Sequence, residues 1–131
     1  MSNLKRILIG DKTYPFRIDL NVLQYIQEEY GSINQFEWDL IGIRNKKDAE
    51  GMPVYGKDGK AVLELTEPSV KAIITVLPMA VNEGIIIEAD EQNKPAEKVT
   101  EEFVIRNCTI PYDKLSKMLH EEFRRCFDTK K

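Results

Sequence analysis

Within residues 4–18, large apolar side chains recur at every second position of two short segments, 7–9 and 14–18, which is the period of a half-buried β-strand. The apolar positions are Ile7, Ile9, Tyr14, Phe16 and Ile18. The pattern predicts an antiparallel hairpin that turns at Asp11 and Lys12. This register places Ile7 opposite Phe16, and it places Ile9 opposite Tyr14. Pro15 has no amide hydrogen, so we expect the second strand at a sheet edge or with that position facing outward. A lone hairpin is marginal in water, so its apolar face is expected to lie on helices.

The apolar period then changes to steps of three and four residues, which is typical of α-helices. Asp19 is a good N-cap for the first helix, and Gly31 supplies its end. The apolar stripe of this helix is Val22, Leu23, Ile26 and Tyr30. Ser32 and Gln35 form a capping-box pattern, which predicts a second short helix at once. Its stripe is Ile33, Phe36, Leu40 and Ile43.

Residues 44–66 differ in composition from their surroundings and favour an inserted, mostly exposed β-hairpin. Lys, Asp and Gly surround two short apolar pairs, Val54-Tyr55 and Val62-Leu63. Asp58-Gly59 stands where it favours a type I′ turn between two strands. We therefore expect a hairpin around residues 52–65 within an insertion that spans 44–66.

A long apolar helix is predicted after this insertion, and it is expected to be the central core helix. Thr66 can cap it and Pro68 can occupy its first position. Its apolar stripe is Val70, Ile73, Ile74, Leu77 and Val81. Pro78 is expected to kink it, because proline removes a backbone donor and crowds the preceding turn. Periodicity alone leaves Ile85 to Ile87 open between a continued helix, which we favour, and a short buried strand.

The last part of the chain predicts a polar linker and two further helices. Residues 92–98 are polar and contain a proline, and Thr100 can cap a short helix that begins with acidic residues. Residues 112–127 form the clearest helical pattern, with supporting pairs of Asp113 with Lys117 and Glu121 with Arg125. Its stripe is Leu115, Met118, Leu119, Phe123, Cys126 and Phe127. The whole pattern predicts a single α+β, mainly α domain over residues 1–131, with the N-terminal hairpin packed on the helices.

Composition and charge narrow the function classes. The 131 residues are 42% hydrophobic and 31% charged, as in an ordinary globular protein. The formal net charge of −3 gives no field that favours a phosphate backbone, so nucleic acid is not expected as the main partner. The chain shows no signal-peptide pattern, and the run around residues 70–81 falls short of a membrane span. We expect a cytoplasmic protein whose two cysteines, Cys108 and Cys126, are reduced and buried.

Two motifs resemble binding sites but fail at particular residues, and a zinc site lacks enough ligands. Gly51 to Lys57 matches the glycine and lysine spacing of a phosphate-binding P-loop, but Asp58 stands where Ser or Thr must hold Mg²⁺. A faint calcium-loop pattern begins at Asp90, but lysine and proline occupy later positions that need an oxygen ligand and a glycine. One histidine and no closely spaced cysteine pair leave too few zinc ligands. The sequence therefore predicts no metal, cofactor or nucleotide.

Catalytic side chains are equally sparse. His120 is the only imidazole, and a helix-surface position is its default interpretation because neither cysteine carries a nucleophile signature. The sequence offers no catalytic residue and no enzyme is predicted. Core packing accounts for most aromatic residues on the helices, namely Phe36, Tyr112, Phe123 and Phe127. Trp38 lies off the stripe of its helix and is a candidate for an exposed contact.

The order of segments resembles the tail assembly chaperones of tailed bacteriophages and prophages, particularly those of long-tailed phages that infect Gram-positive bacteria. The opening hairpin and first helix carry the resemblance in ILIGDKTYPFRIDLNVLQYIQEEYGSINQF. The central helix carries it in EPSVKAIITVLPMAVNEGIIIEADEQ, and VTEEFVIR carries it before the final amphipathic helix. Together these segments cover most of the chain. The hairpin at 44–64 is longer than the usual connection in that family.

The resemblance implies a small, mainly helical, non-enzymatic protein of the host cytoplasm that is absent from the finished particle. It implies noncovalent binding of the long tape measure protein during tail assembly, which keeps the hydrophobic helices of that client soluble. Tail tube subunits and a longer, frameshifted form of the chain are further implied partners, and homo-oligomers stay open. The alternatives are a structural tail completion or connector protein, a small enzyme that uses acidic residues around His120, and a host regulatory module. The partner-binding surface is unknown at this stage, because core and binding stripes look identical until burial is known.

Overall fold

The structure is a computed structural model that describes residues 3–127, and its fold is α+β and mainly helical, as the sequence predicts. The elements in chain order are β1 (Lys5–Ile9), β2 (Lys12–Phe16), α1 (Leu20–Tyr30), α2 (Ile33–Ile41), β3 (Ile43–Asn45), β4 (Leu63–Leu65), α3 (Val70–Glu91), α4 (Glu101–Asn107) and α5 (Tyr112–Arg125). Strands β1 and β2 form one antiparallel hairpin, and β3 and β4 form a second. The core lies where the first hairpin and helices α1, α2, α4 and α5 meet around α3.

The predicted register of the first hairpin is wrong by two residues. Ile7 pairs with Tyr14, and Phe16 pairs with Lys5. The turn therefore lies at Gly10 and Asp11, because Gly10 supplies the positive φ of 71° that a type II′ turn needs at its first central position. A shift of two residues keeps each side chain on its original face. The apolar face is accordingly the predicted one, with Ile7, Ile9, Phe16 and Ile18 all buried.

This hairpin lies on helix α3, as expected for a two-stranded unit. The amide of Arg17 donates a hydrogen bond to the carbonyl of Ala80 at 3.0 Å. Strand β2 belongs to a two-stranded sheet and is an edge strand, which is where Pro15 is tolerated. A side chain at Gly84 would meet the backbone of Pro15, so the glycine permits this close approach of strand to helix.

The first two helices begin where the caps predict. The side chain of Asp19 accepts from the amide of Val22, and the side chain of Ser32 accepts from the amide of Gln35. Gly42 ends α2 in the left-handed conformation. Ile43 is therefore in strand β3, so its predicted place on the helical stripe is wrong.

The inserted hairpin (residues 44–66) is present, but its turn differs from the predicted one. Strands β3 and β4 pair at its base, where Ile43 is opposite Leu65. At its tip the amide of Gly59 donates to the carbonyl of Gly56. Gly59 has a φ of +80°, but the φ of Asp58 is not positive. A type I′ turn centred on Asp58 and Gly59 needs positive φ at both residues, so that prediction is wrong.

Helix α3 starts later than predicted. Ser69 caps it by accepting from the amide of Ala72, so Thr66 and Pro68 precede the helix. The helix then runs without a break through Ile85, Ile86 and Ile87 to Glu91, which confirms the favoured alternative, and it contains Pro78. Ala72, Val76, Ala80 and Val81 are completely buried, so α3 is the core helix.

By length and composition, α3 also qualifies as a segment able to cross a membrane, contrary to the sequence expectation. Its contacts with β2, α1, α2, α4 and α5 account for its apolar character, because a helix surrounded by partners is hydrophobic on most sides.

The last two helices follow the predicted order. Thr100 caps α4 by accepting from the amide of Phe103. Helix α5 buries Leu115, Leu119 and Phe123, but Tyr112 and Phe127 are exposed rather than packed in the core. The predicted pair of Glu121 with Arg125 is also wrong, because Arg125 turns to Glu122 at 2.8 Å.

Candidate functional site

His120 is half-buried between α5 and α2 and has its own partner. Its Nε2 lies 2.8 Å from Oε2 of Glu37, and the guanidinium of Arg124 reaches the same oxygen at 3.4 Å. The imidazole also stacks against Phe123 with ring centroids 6.2 Å apart. Carboxylate, imidazole and guanidinium thus form a polar contact between two helices, and the contact ties α5 to α2.

Glu122 is the carboxylate that the sequence does not single out, and it is 1% exposed. It accepts a hydrogen bond from the amide of Ile18 at 2.9 Å. The guanidinium of Arg125 bonds to both of its oxygens, and Arg17 lies 3.7 Å away. Arg125 also donates to the carbonyl of Ile18 at 2.7 Å. This cluster joins the end of the first hairpin to α5.

A pair of acidic side chains, Asp19 and Glu83, lies beside this cluster. The hydrogen bond with Asp19 and then burial raise the pKa of Glu83, while the amide of Asn21 at 3.2 Å acts in the opposite direction. Two carboxyl groups that share a hydrogen bond hold one proton more readily than separate ones. The raised pKa favours the protonated form of Glu83, so this contact between the N-terminal end of α1 and α3 weakens as Glu83 ionises with rising pH.

The cysteines are free and half-buried, which is less burial than the sequence predicts. The thiol of Cys126 donates to the carbonyl of Ile18 at 2.8 Å. Burial raises the pKa of Cys126, so its reactive thiolate is disfavoured. The imidazole of His120 bonds to Glu37, whereas the thiol of Cys126 bonds to the carbonyl of Ile18, just after the first hairpin. The two side chains therefore have different partners and do not form a catalytic pair.

The motifs that resemble ligand sites lie in turns and helix ends. Gly51 and Lys57 belong to separate turns of the inserted hairpin, and neither turn opens into a helix as a P-loop must. Asp90 lies in the last turn of α3. Within residues 3–127, no group of three or more His, Cys, Asp or Glu side chains is placed to hold a metal ion.

Trp38 is half-buried and lines an open depression of about 550 Å³ between α2 and the inserted hairpin. Arg44 and Glu64 form an ion pair on its far wall at 2.5 Å. The sequence predicts Trp38 as a candidate for an exposed contact. In the structure its ring is partly accessible and lies among polar side chains.

Two other surfaces carry exposed apolar side chains. The first is the insert stripe, which we define as Tyr55, Leu63 and Leu65, with exposed fractions of 64%, 49% and 85%. Leu63 and Leu65 are two residues apart on β4 and face the same side. Tyr55 pairs with Ala61, which continues that face.

The second surface is a groove between α1, α3 and α4, and we call it the acidic groove. Its deeper part has a volume of about 160 Å³ and is lined by Tyr25, Ile74, Thr75, Pro78, Met79, Asn82 and Glu101. A shallower part of about 290 Å³ surrounds Ile105 and shares Glu101. Burial first, and then the carboxylates of Glu29 and Glu101, raise the pKa of Tyr25. Glu101 lines both parts of the groove, and Glu29 lies one helical turn after Tyr25 on α1, so both carboxylates stand at its rim.

Comparison of this chain with protein-family models, with curated proteins and with solved structures gives no match.

Proposed function

We propose that this protein is a tail assembly chaperone of a tailed phage or prophage, which binds the tape measure protein during tail assembly. The observation that carries the proposal is the resemblance in the order of segments: an opening hairpin and helix, a long central helix, and a final amphipathic helix. Binding is reversible and noncovalent, and it uses neither cofactor nor nucleotide. Tail tube subunits and a frameshifted longer form of the chain are further partners under this proposal.

The surface of the molecule is compatible with a client of that kind. A tape measure protein is a long helical client, and an amphipathic helix binds by laying its apolar face into an apolar groove. The insert stripe and the acidic groove both expose apolar side chains of the described residues. Exposed apolar patches commonly mark protein-binding surfaces, which supports a binding role.

Co-expression with the tape measure protein encoded nearby tests the proposal. We expect the client to stay in the supernatant with this chain and to precipitate with an unrelated small protein expressed at the same level. Equal precipitation in both cultures contradicts a chaperone role. Mass spectrometry of purified particles is the second measurement, because a chaperone is expected to be absent from them and a structural tail component is expected to be present.

A further inference from the structure

The acidic groove offers a seat for one apolar side chain with a second beside it. Its deeper part has about 160 Å³ and a floor that includes Ile74, Pro78 and Met79. A cavity of roughly 150 Å³ holds a ring the size of benzene, so this volume suits one leucine or phenylalanine side chain. The adjoining part, next to Ile105, shares Glu101 with the first. Two neighbouring seats of this kind suit two apolar residues on the same face of an amphipathic helix.

Two polar side chains of the groove wall, Asn82 and Thr75, are already bonded within the molecule. Asn82 exchanges two hydrogen bonds with the backbone of Val99, at 2.9 and 2.8 Å. Thr75 donates to the carbonyl of Lys71 at 2.7 Å. The Asn82 bonds hold the linker before α4 against α3, whereas the Thr75 bond stays within α3, so this part of the wall is fixed before any partner arrives. What the groove presents to a partner is therefore its apolar surface, the phenol of Tyr25 and its carboxylates.

The rim has one predominant charge. Glu29 and Glu101 are exposed, and among residues 3–127 neither forms an ion pair. The cation of the rim, Arg106, is already engaged with Glu102 at 2.9 Å. The nearby ammonium of Lys71 lies over the ring of Tyr30 at 5.4 Å. Charge complementarity therefore favours a partner that brings lysine or arginine side chains to both edges.

Pro78 removes one backbone donor from the same wall. Because proline has no amide hydrogen, the carbonyl of Ile74 lacks the donor that residue 78 normally supplies in a helix. Ile74 and Pro78 both line the deeper part of the groove.

We propose that the acidic groove binds a basic amphipathic helix of the client, with apolar residues in the two seats and cationic residues on the rim. This inference rests on the proposed chaperone function and names the client segment and the surface that receives it. Binding is expected to weaken with salt, because ion pairs at an exposed rim are screened.

Two labelled peptides provide the direct test by fluorescence anisotropy. Both are designed amphipathic helices with leucines one turn apart, and they differ only in flanking lysines or glutamates. We expect the lysine peptide to bind and the glutamate peptide to bind at least about tenfold more weakly. Equal affinities of the two peptides overturn the proposed charge match.

Matched variants locate the site. The pair Glu29→Gln with Glu101→Gln is expected to weaken the lysine peptide about five- to tenfold, since each rim charge contributes modestly. The pair Glu50→Gln with Glu91→Gln makes the same change of net charge at exposed sites elsewhere and is expected to leave affinity unchanged. Equal losses in the two pairs contradict a local rim effect.

An apolar pair of variants tests the seat next to the rim. Ile105→Ser, at a position 40% exposed, is expected to weaken the lysine peptide about fivefold, whereas Leu63→Ser, at 49%, is expected to leave it unchanged. The reverse result moves the docking surface to the insert stripe and overturns the proposal. All four variants change exposed side chains, and their urea midpoints are measured alongside to verify folding.

Co-expression separates this inference from the proposed function. If the unaltered chain keeps the tape measure protein soluble and the groove variants do so equally well, the groove is wrong and the chaperone role stands. If the unaltered chain fails to keep the client soluble, the chaperone role is wrong, and the peptide measurements still decide whether the groove binds basic helices.

Discussion

At the residue scale, the feature that most needs explanation is a buried carboxylate with several donors around it. Removing a carboxylate from water is costly unless hydrogen bonds and an opposite charge replace the solvent. Glu122 obtains both, from the amide of Ile18 and the guanidinium of Arg125. Arg125 in turn has its pKa raised by the hydrogen bond to Glu122. The cluster therefore fixes where the first hairpin ends against α5.

We predict that Glu122→Gln lowers the free energy of unfolding by about 2 kcal/mol, because hydrogen bonds to a charged group are lost and Arg125 loses its partner. Because glutamine has nearly the same volume as glutamate, the loss of stability measures the contribution of the negative charge rather than of packing. Urea unfolding followed by circular dichroism gives the value.

The adjacent Glu121→Gln is the matched control. Glu121 is 73% exposed and lies 4.0 Å from Lys5, so its removal is expected to change stability by less than about 0.5 kcal/mol. Similar losses at positions 121 and 122 contradict the assignment of the buried role to Glu122.

The sequence predicts local caps better than it predicts partners distant along the chain. Asp19, Ser32 and Thr100 accept from amides three residues ahead, so the sequence around each contains the whole interaction. Glu122 bonds to Ile18, which is 104 positions away, and nothing near residue 122 indicates that contact. Helical spacing instead favoured Glu121 as the partner of Arg125, because it ignores which face is buried.

At the scale of elements, the contact of the first hairpin with α3 depends on a glycine in the helix. A Cβ built at Gly84 lies 2.5 Å from the carbonyl carbon of Pro15 and 2.7 Å from the amide nitrogen of Phe16. Backbone atoms of a paired strand cannot move aside as a flexible side chain can. The absence of a side chain at Gly84 thus sets the distance between strand and helix.

We predict that Gly84→Ala destabilises the protein by about 2 kcal/mol, within the usual range for overpacking. The direction of this stability change is informative, because alanine in an ordinary helix interior is about 1 kcal/mol more favourable than glycine. Thermal and urea unfolding measure the change. The exposed Asp90→Ala in the same helix is the control and is expected to have little effect. A stabilised Gly84→Ala variant would mean that the hairpin does not approach the helix this closely.

Element boundaries show where sequence patterns are insufficient. Both Thr66 and Ser69 are good caps, and tertiary contacts decide between them, because the amide of Ser69 donates to the carbonyl of Asp39. Likewise the sequence allows the first turn to be centred on Gly10 and Asp11 or on Asp11 and Lys12. The structure has the first of these, because glycine readily accepts the positive φ that the turn needs. The acidic groove was equally hidden, since Tyr25, Ile74 and Ile105 come from separate helices and become neighbours only after folding.

At the scale of the whole molecule, the core and the inserted hairpin are separate in packing. The core cluster of the described residues draws on the first hairpin and on all five helices, and it contains no residue from 44–66. Gly42, at the base of the inserted hairpin, packs closely against the backbone of residues 66–68. A Cβ at this position would meet the carbonyl of Thr66 and lie 3.0 Å from the nitrogen of Pro68, so the absence of a side chain permits the contact. Beyond that base, the insert contributes exposed side chains.

We predict that residues 46–62 can be replaced by Lys-Asn-Gly-Val, which keeps the Lys and Val of the next ladder pair and joins them by an Asn-Gly turn, with a change in unfolding free energy below about 1 kcal/mol. The amide of Lys46 donates to the carbonyl of Val62 at 2.8 Å, so this pair, which follows Asn45 and Leu63 on the ladder, is one that a two-residue turn can close. Loop shortening of this size has a small entropic effect, and no buried apolar side chain is lost. Urea unfolding measures the result, and Gly42→Ala, which alters the base, is expected to be more destabilising than the excision.

The same shortened chain separates the two exposed surfaces by function, because it lacks Tyr55 while the acidic groove is unchanged. If the groove receives the client, the shortened chain still keeps the tape measure protein soluble in co-expression, and it loses this ability when Glu29→Gln and Glu101→Gln are added. If client solubility is lost with the excision alone while the free energy of unfolding is retained, the inserted hairpin is the binding element. Loss of stability on excision instead means that residues 46–62 belong to the folding unit, which contradicts their interpretation as an insertion.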